Sequence, residues 1–553
     1  MNLIGNINAI PFRRFRGGGG ATPPFPSIPG MIARYSALGL TNEQMATNPV
    51  WVNKTGNGHD LQLKNFAWGG MSGVGGYEMN FNLWTNNVPS IPDISMSTTT
   101  TSVSVSVGNS TYNNNLIYIH MNNWDINKNH WLKVTSTYED GDLVFKFYND
   151  NNSKNIELPA NGYVNIPAYP EFKGNYMYIS TTSNKQGSFT IEQLPLYPGA
   201  LVFDGVDDYG TCDNFPILTK EKGYTVVVLR QWDQDFLNTT LTGGLLSTRN
   251  YSTGEGVAFE KIESSNKGYW NLGAGGIIDF AKSPFTWQTS KQYNNVGILK
   301  GDKNHGKPLC VGSGLSGGQQ CGRFAIWELV FLDHDATEEE LTKIKDYFVK
   351  TYPWLFPDQA WTVVGKTNED EDRATIANIT GNGNDLVCLN LGFIEGSGYN
   401  EEGEYAGYLV TDGVDDKIIS SIFKMGNDWT VIGDWELINT GKNDNAGIVK
   451  FDSIVIYNYN SVLINIKNGR NILIPDQNTV NAICSDGRIY SKDWKESIYN
   501  EETESTSKNF LTIGYSGNAY TKIAFKNLAI YPTVLSREDC IKAYNYLQTL
   551  KAK

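Results

Sequence analysis

Two stretches of the chain, LVFDGVDDYG at Leu201–Gly210 and LVTDGVDDKI at Leu409–Ile418, share seven of ten residues across 208 positions. Three other features repeat with them. NKTGNGHDL at Asn53–Leu61 returns as NITGNGNDL at Asn378–Leu386, and the apolar run YTVVVLRQW at Tyr224–Trp232 returns as WTVIGDW at Trp429–Trp435. FAIWELVFLDHDATEEELTKIKDYF, from Phe324, matches IAFKNLAIYPTVLSREDCIKAYNYL, from Ile523. Four features in one order, twice, require a duplicated fold unit. The copies differ in spacing: TGNG to DGVDD takes 149 residues in the first (Thr55 to Asp204) and 32 in the second (Thr380 to Asp412). The excess of 117 residues is about one domain inserted into the first copy.

Strands of five to eight residues between Asn, Gly and Asp turns predict antiparallel sandwiches. The insert is predicted to be β as well. SVSVSV at Ser102–Val107 and LVFKF at Leu143–Phe147 alternate strictly, and Asp140–Gly141 between two strand-like runs reads as a hairpin turn. A helix closes each unit. Thr337 with Glu340 forms a capping box and Ser536 with Asp539 a weaker one, and Leu341, Ile344 and Phe348 share one helical face. The expected division is an arm and linker at 1–30, a first sandwich at 31–85 plus 199–355, an inserted β domain at 86–198, and a second sandwich at 356–553.

The net charge of −13 argues against broad contact with nucleic acid or an anionic membrane, which needs a basic face. No run approaches the ~20 apolar residues of a membrane span. The start of the chain, MNLIGNINAIPFRRFRGGGG, breaks its apolar run at Pro11 and follows it with arginines, unlike a secretory signal. Six cysteines without CxxC spacing and five scattered histidines form no zinc pattern. Free thiols fit synthesis in a reducing cytoplasm.

A TGNG-x-DL turn, an LV-x-DGVDD strand end and a W/Y-T-V strand together resemble the concanavalin A-like lectin/glucanase superfamily, within it the laminin-G-like jelly-roll modules. That resemblance implies an all-β class of tandem sandwiches, and functions spanning lectins, adhesins, glycosidases and structural modules. The usual pattern has Asp where this chain has Asn53 and Asn378, which weakens any transfer of a calcium role to that loop.

The carboxylate-rich motif has two readings. Asp207, Asp208, Asp415 and Asp416 serve a tight turn whose glycine takes positive φ, or they ligate calcium, which wants six to eight oxygens. No other cofactor is expected. Glucanases of the superfamily space their acids E-x-D-x-x-E or E-x-D-x-E; neither spacing occurs, so no catalytic residues and no enzyme activity are expected. For glycan stacking the candidates are Trp68, Tyr77, Trp124, Trp232 and Trp494, which lie in polar, glycine-rich contexts; Trp429 and Trp435, in strand runs, are expected in the core. The histidines receive no role.

The arm sets Phe12, Arg13, Arg14, Phe15 and Arg16 before a glycine tether and a proline-rich spacer, and Phe and Arg favour interface hot spots. Arm and sandwiches together look like a bacteriophage virion fibre or decoration protein. The expected partners are other virion proteins, through the arm, and host-surface polysaccharide. A homo-trimer is expected by analogy alone. The alternatives are a bacterial surface adhesin, which would need an export signal, and a polysaccharide-degrading hydrolase, which would need a carboxylate pair.

Overall fold

The computed structural model describes residues 23–79, 81, 84–86, 94–108, 119–120, 124–126, 130–148, 154–166, 169, 172, 176–181, 186–217, 223–237, 239–248, 258–262, 267–270, 277–279, 296–300, 309–315, 319–380, 383–421, 423–424, 426–438, 446–451, 454–458, 462–466, 470–474, 480–491, 494–498, 508–509, 511–515 and 520–552. The arm residues Phe12 to Arg16 lie outside them.

The chain is all-β apart from short helices, as its short strand runs between Asn, Gly and Asp turns predict. In the first sandwich one sheet runs Val296–Lys300, Thr225–Trp232, Arg323–Leu332, Leu201–Asp204, Gly73–Val74, with Met31–Ser36 added to Arg323–Leu332. The second sandwich repeats this around Ile523–Tyr531, which pairs with Thr430–Leu437, Leu409–Val410 and Gln359–Thr362. The copies share a register defect. Thr225↔Leu332 to Leu229↔Glu328 is followed by a bulge at Trp327, and Thr430↔Tyr531 to Asp434↔Asn527 by one at Lys526. This makes Leu229 equivalent to Asp434, Glu328 to Asn527, and Trp327 to Lys526.

The repeated motifs have local causes. The Asn53 carbonyl accepts from the N–H groups of Arg34 and Thr55, and its amide donates to Gly58 O at 2.6 Å. Asn378 accepts from Ala360 and Thr380 and donates to Gln359 Oε1. An aspartate could accept but not donate, which accounts for Asn in both copies. The threonine of W/Y-T-V ties strand to closing helix: Thr225 Oγ1 donates to His334 O and accepts from Ala336 N–H, and Thr430 Oγ1 donates to Thr533 O and accepts from Leu535 N–H. Both helix caps form as expected, the full box at Thr337 and Glu340 on Glu338–Thr351, and Ser536 on Arg537–Gln548. All six cysteines are buried free thiols. No helix among the described residues is long and apolar enough to cross a membrane.

The insert is a sandwich of its own, with a five-stranded sheet facing a three-stranded one among the described residues. Two expectations are corrected here. Asp140–Gly141 is not a hairpin turn: His130–Ser136 pairs with Asn161–Ile166 and Gly187–Gln193, whereas Leu143–Tyr148 pairs with Lys154–Leu158 and Tyr176–Thr181. The turn carries the chain from one sheet to the facing one, because both runs bury apolar side chains in the same core. The insert also begins earlier than residue 86. Met79, Phe81 and Trp84 belong to its core, and Gln193 clasps the Met79 backbone at both N–H and C=O.

Each sandwich has a core of its own, and a third buried cluster joins the two. Trp327 and Leu229 of the first pack in one cluster with Ile432, Tyr531, Trp494 and the helix Arg537–Gln548 of the second. Trp327 meets Tyr546 edge-on at 6.3 Å, and Gln231 Nε2 donates to Thr549 Oγ1 at 3.0 Å. The insert docks on the same helix through Trp131 against Tyr544 and Arg537 over the Tyr163 ring.

Candidate functional site

The DGVDD carboxylates first build a turn. Gly205 and Gly413 have φ of +77° and +78°, and a Cβ at either would press on the Arg323 or Lys522 backbone. In the first copy Asp208 accepts from Asp204 N–H at 3.0 Å and from the Ser72 hydroxyl at 2.9 Å, and Asp204 accepts from Val206 N–H at 2.7 Å. In the second, Asp416 Oδ2 takes both Asp412 N–H and the Ser397 hydroxyl, and Asp412 Oδ1 takes Val414 N–H. Asp208 and Asp416 are fully buried, while Asp207 and Asp415 are exposed and lend their carbonyls to Asn65 and Asn390.

Each trio brings carboxylate oxygens within 4.8 Å of one another. One loop of three carboxylates, with several oxygens already holding the turn, falls short of the six to eight oxygens calcium takes. Asp416 Oδ1 is buried without a hydrogen-bond partner, so the second turn fits a cation better than the first.

Burial pushes the Asp208 carboxyl up to about 7, with repulsion from Asp204 adding to it, against the Asp204 N–H and Ser72 hydroxyl bonds that stabilise its charge. Burial raises Asp416 also. Between the ordinary value of 3.8 and about 7 the native state therefore holds a proton that the unfolded chain has released. The unfolding free energy then falls as pH rises through that window, by at most about 1.4 kcal/mol per pH unit. Asp208→Asn is expected to remove much of this slope, measured by urea unfolding at several pH values from 4 to 7; an unchanged slope would refute the assignment.

The aromatic candidates divide. Trp124, Trp232 and Trp494 are core residues and offer no face to a sugar: Trp124 packs on Phe145 inside the insert, Trp232 on Phe324, and Trp494 on Tyr544. Trp429 and Trp435 are buried as expected. Trp68 is half-buried in the left-handed region at φ +52°, stacked on Phe66. Tyr77 is half-buried, and its hydroxyl is pushed up to about 12 by burial.

A site missed in the sequence lies where the three domains meet, a cavity of about 520 Å³. The insert lines it with Glu78, His130, Trp131 and Gln193, and the first sandwich with Asp233, Asp235 and Arg323. The second sandwich adds Glu404, Tyr408, Asp434, Lys526, Tyr544 and Gln548. Trp131 is half-buried. His130 Nδ1 lies 3.3 Å from Glu78 Oε2, and its Nε2 is 2.7 Å from Asp125 O. Arg323 pairs with Asp233 and Lys551 with Asp235. The Tyr408 hydroxyl donates to Asp434 at 3.1 Å, and the buried Nε2 of Gln548 has no hydrogen-bond partner among the described residues.

The cavity marks where the duplication breaks down. In the first sandwich, the equivalents of Tyr408, Asp434 and Lys526 are Ala200, Leu229 and Trp327, all apolar and fully buried. Aligning the two copies shows this contrast in the sequence; nothing local marks Glu78, His130 or Trp131.

No family model matches the chain, and no curated protein matches it. Solved structures that align include the botulinum neurotoxin serotype D ligand-binding domain in complex with N-acetylneuraminic acid, at 10% identity, 62% of this chain, 88% of that one and a TM-score of 0.24. Trypanosoma rangeli sialidase in complex with sialic acid aligns at 9% identity over 85% of this chain and 86% of its own, with a TM-score of 0.23. Domain 4 of an extracellular arabinanase from Geobacillus stearothermophilus, in complex with arabinotriose, aligns at 11% identity over 34% of this chain and 100% of its own, with a TM-score of 0.21. Superpositions this loose carry no argument about the ligand of this chain.

Proposed function

We propose that the chain is a saccharide-binding, non-catalytic display protein whose binding site is the cavity at the junction of its three β domains. The observation that carries this reading is the cavity itself. Its volume of about 520 Å³ lies within the range of small-ligand sites, which favour domain junctions. The half-buried Trp131 supplies an aromatic surface, and carboxylates, amides and tyrosine hydroxyls surround it with the acceptors and donors that sugar hydroxyls use. Neither the E-x-D-x-x-E nor the E-x-D-x-E pattern of the superfamily's hydrolases occurs in the sequence, which supports binding without cleavage.

The wider setting we propose is a bacteriophage particle, with host-surface polysaccharide as the target and several copies raising avidity. This part rests on the arm Phe12–Arg16 and on the tandem sandwiches. Display of the full chain on an array of bacterial and host glycans is expected to give saccharide-specific binding without release of reducing sugar. Silence across the array would overturn the binding role, and sugar release would favour a hydrolase.

A further inference from the structure

We infer that the junction cavity selects saccharides bearing a positively charged amine, and that Asp434 is the residue that selects them. The inference rests on the saccharide reading above and concerns which class of sugar the same cavity takes.

Asp434 lies in the strand Thr430–Leu437 and is only 8% exposed, yet it lines the cavity. A buried carboxylate ordinarily has a cationic partner, because leaving it unpaired is costly. Asp434 has none within ion-pair reach among the described residues. Its wall-mates Arg323 and Lys551 are engaged by Asp233 and Asp235. Lys526 sits 5.5 Å from the centroid of the Tyr408 ring and makes no ion pair with Asp434. The Tyr408 hydroxyl bonds Asp434, which orients the carboxylate but supplies no charge.

The duplication serves as an internal control. The strand position does not need an acid, since Leu229 fills it in the first sandwich and is fully buried. An acid was therefore placed here against the preference of the core, at the one copy of the position that meets the cavity. The wall as a whole adds to the bias: Glu78, Asp233, Asp235, Glu404 and Asp434 outnumber Arg323, Lys526 and Lys551. Such a wall repels sialic and uronic acids and attracts an ammonium group, which would form a charge-assisted hydrogen bond with Asp434.

The probe is a glucosamine trisaccharide against its N-acetylated counterpart, each titrated calorimetrically into the full chain at a pH where the amine is protonated. The two ligands share one ring skeleton and differ in charge. The amine form is expected to bind about tenfold tighter or more, as a charged hydrogen bond implies. Asp434→Leu is expected to erase that preference. Asp434→Asn, which keeps an acceptor for Tyr408, guards against misfolding: its melting midpoint should stay near that of the parent while the preference is lost. Equal or tighter binding of the acetylated form by the parent chain would overturn the amine selection and leave the saccharide reading standing. Binding of neither form, with a silent glycan array, would overturn both.

Discussion

Replacing Trp327 with alanine is expected to melt both sandwiches early and together. The indole is fully buried, donates Nε1–H to Pro198 O at 2.8 Å, and packs against Tyr197 of its own unit and Tyr546 of the other. Truncating a buried tryptophan costs about 3–5 kcal/mol, since the transfer free energy and the cavity both count, and a carbonyl is left unpaired. For a transition that covers both sandwiches the melting midpoint should fall by about 5 °C. The informative part is the shape of the transition. Because Trp327 sits in a cluster drawing on both units, calorimetry should show one displaced transition covering both. A split, with one unit melting at the original temperature, would mean that the two sandwiches do not depend on the cluster that joins them.

A second large effect is expected at Glu328. Its carboxylate is fully buried and accepts from Arg34 Nε and Nη2 at 3.0 Å each, from the Ser36 hydroxyl at 2.8 Å and from the Tyr352 hydroxyl at 2.8 Å. The Arg34 guanidinium also lies over the Phe25 ring, so the cluster joins the N-terminal strand, the central strand and the closing helix. Glu328→Ala strands a guanidinium and the Ser36 and Tyr352 hydroxyls, at a cost of about 3–5 kcal/mol. Removing both charges, as Arg34→Met with Glu328→Leu, should recover a good part of that loss, because packed apolar groups replace a buried ion pair at little net cost. Urea unfolding of the single and double variants checks this. A double variant less stable than Glu328→Ala would show that the pair stabilises the fold beyond mutual neutralisation.

How much of this was legible in the sequence follows from which features are local. The repeated turn motifs, the strands Ser102–Val107 and Leu143–Tyr148, and the caps at Thr337 and Ser536 each depend on residues a few positions apart, and they are where the sequence places them. The stacking candidates failed for the opposite reason. Polar neighbours say nothing about what covers an aromatic ring. Trp494 lies between Asp493 and Lys495, yet is buried against Tyr544 of the closing helix 50 positions on. The DGVDD motif invited a chemical reading through its density of acids, and its geometry explains those acids by the N–H groups and hydroxyls they accept from. The junction cavity is assembled from three domains, so no window of sequence contains it. Its one legible trace is Asp434 standing where the other copy has Leu229.

Hydrogen exchange of the full chain, with and without the strongest saccharide found on the array, tests the central claim most directly. Added protection is expected in 403–408, in 544–551 and around Trp131, the segments that wall the cavity. Protection confined to the turns 204–208 and 412–416, with the cavity walls unchanged, would contradict it and move the binding site to the ends of the sandwiches.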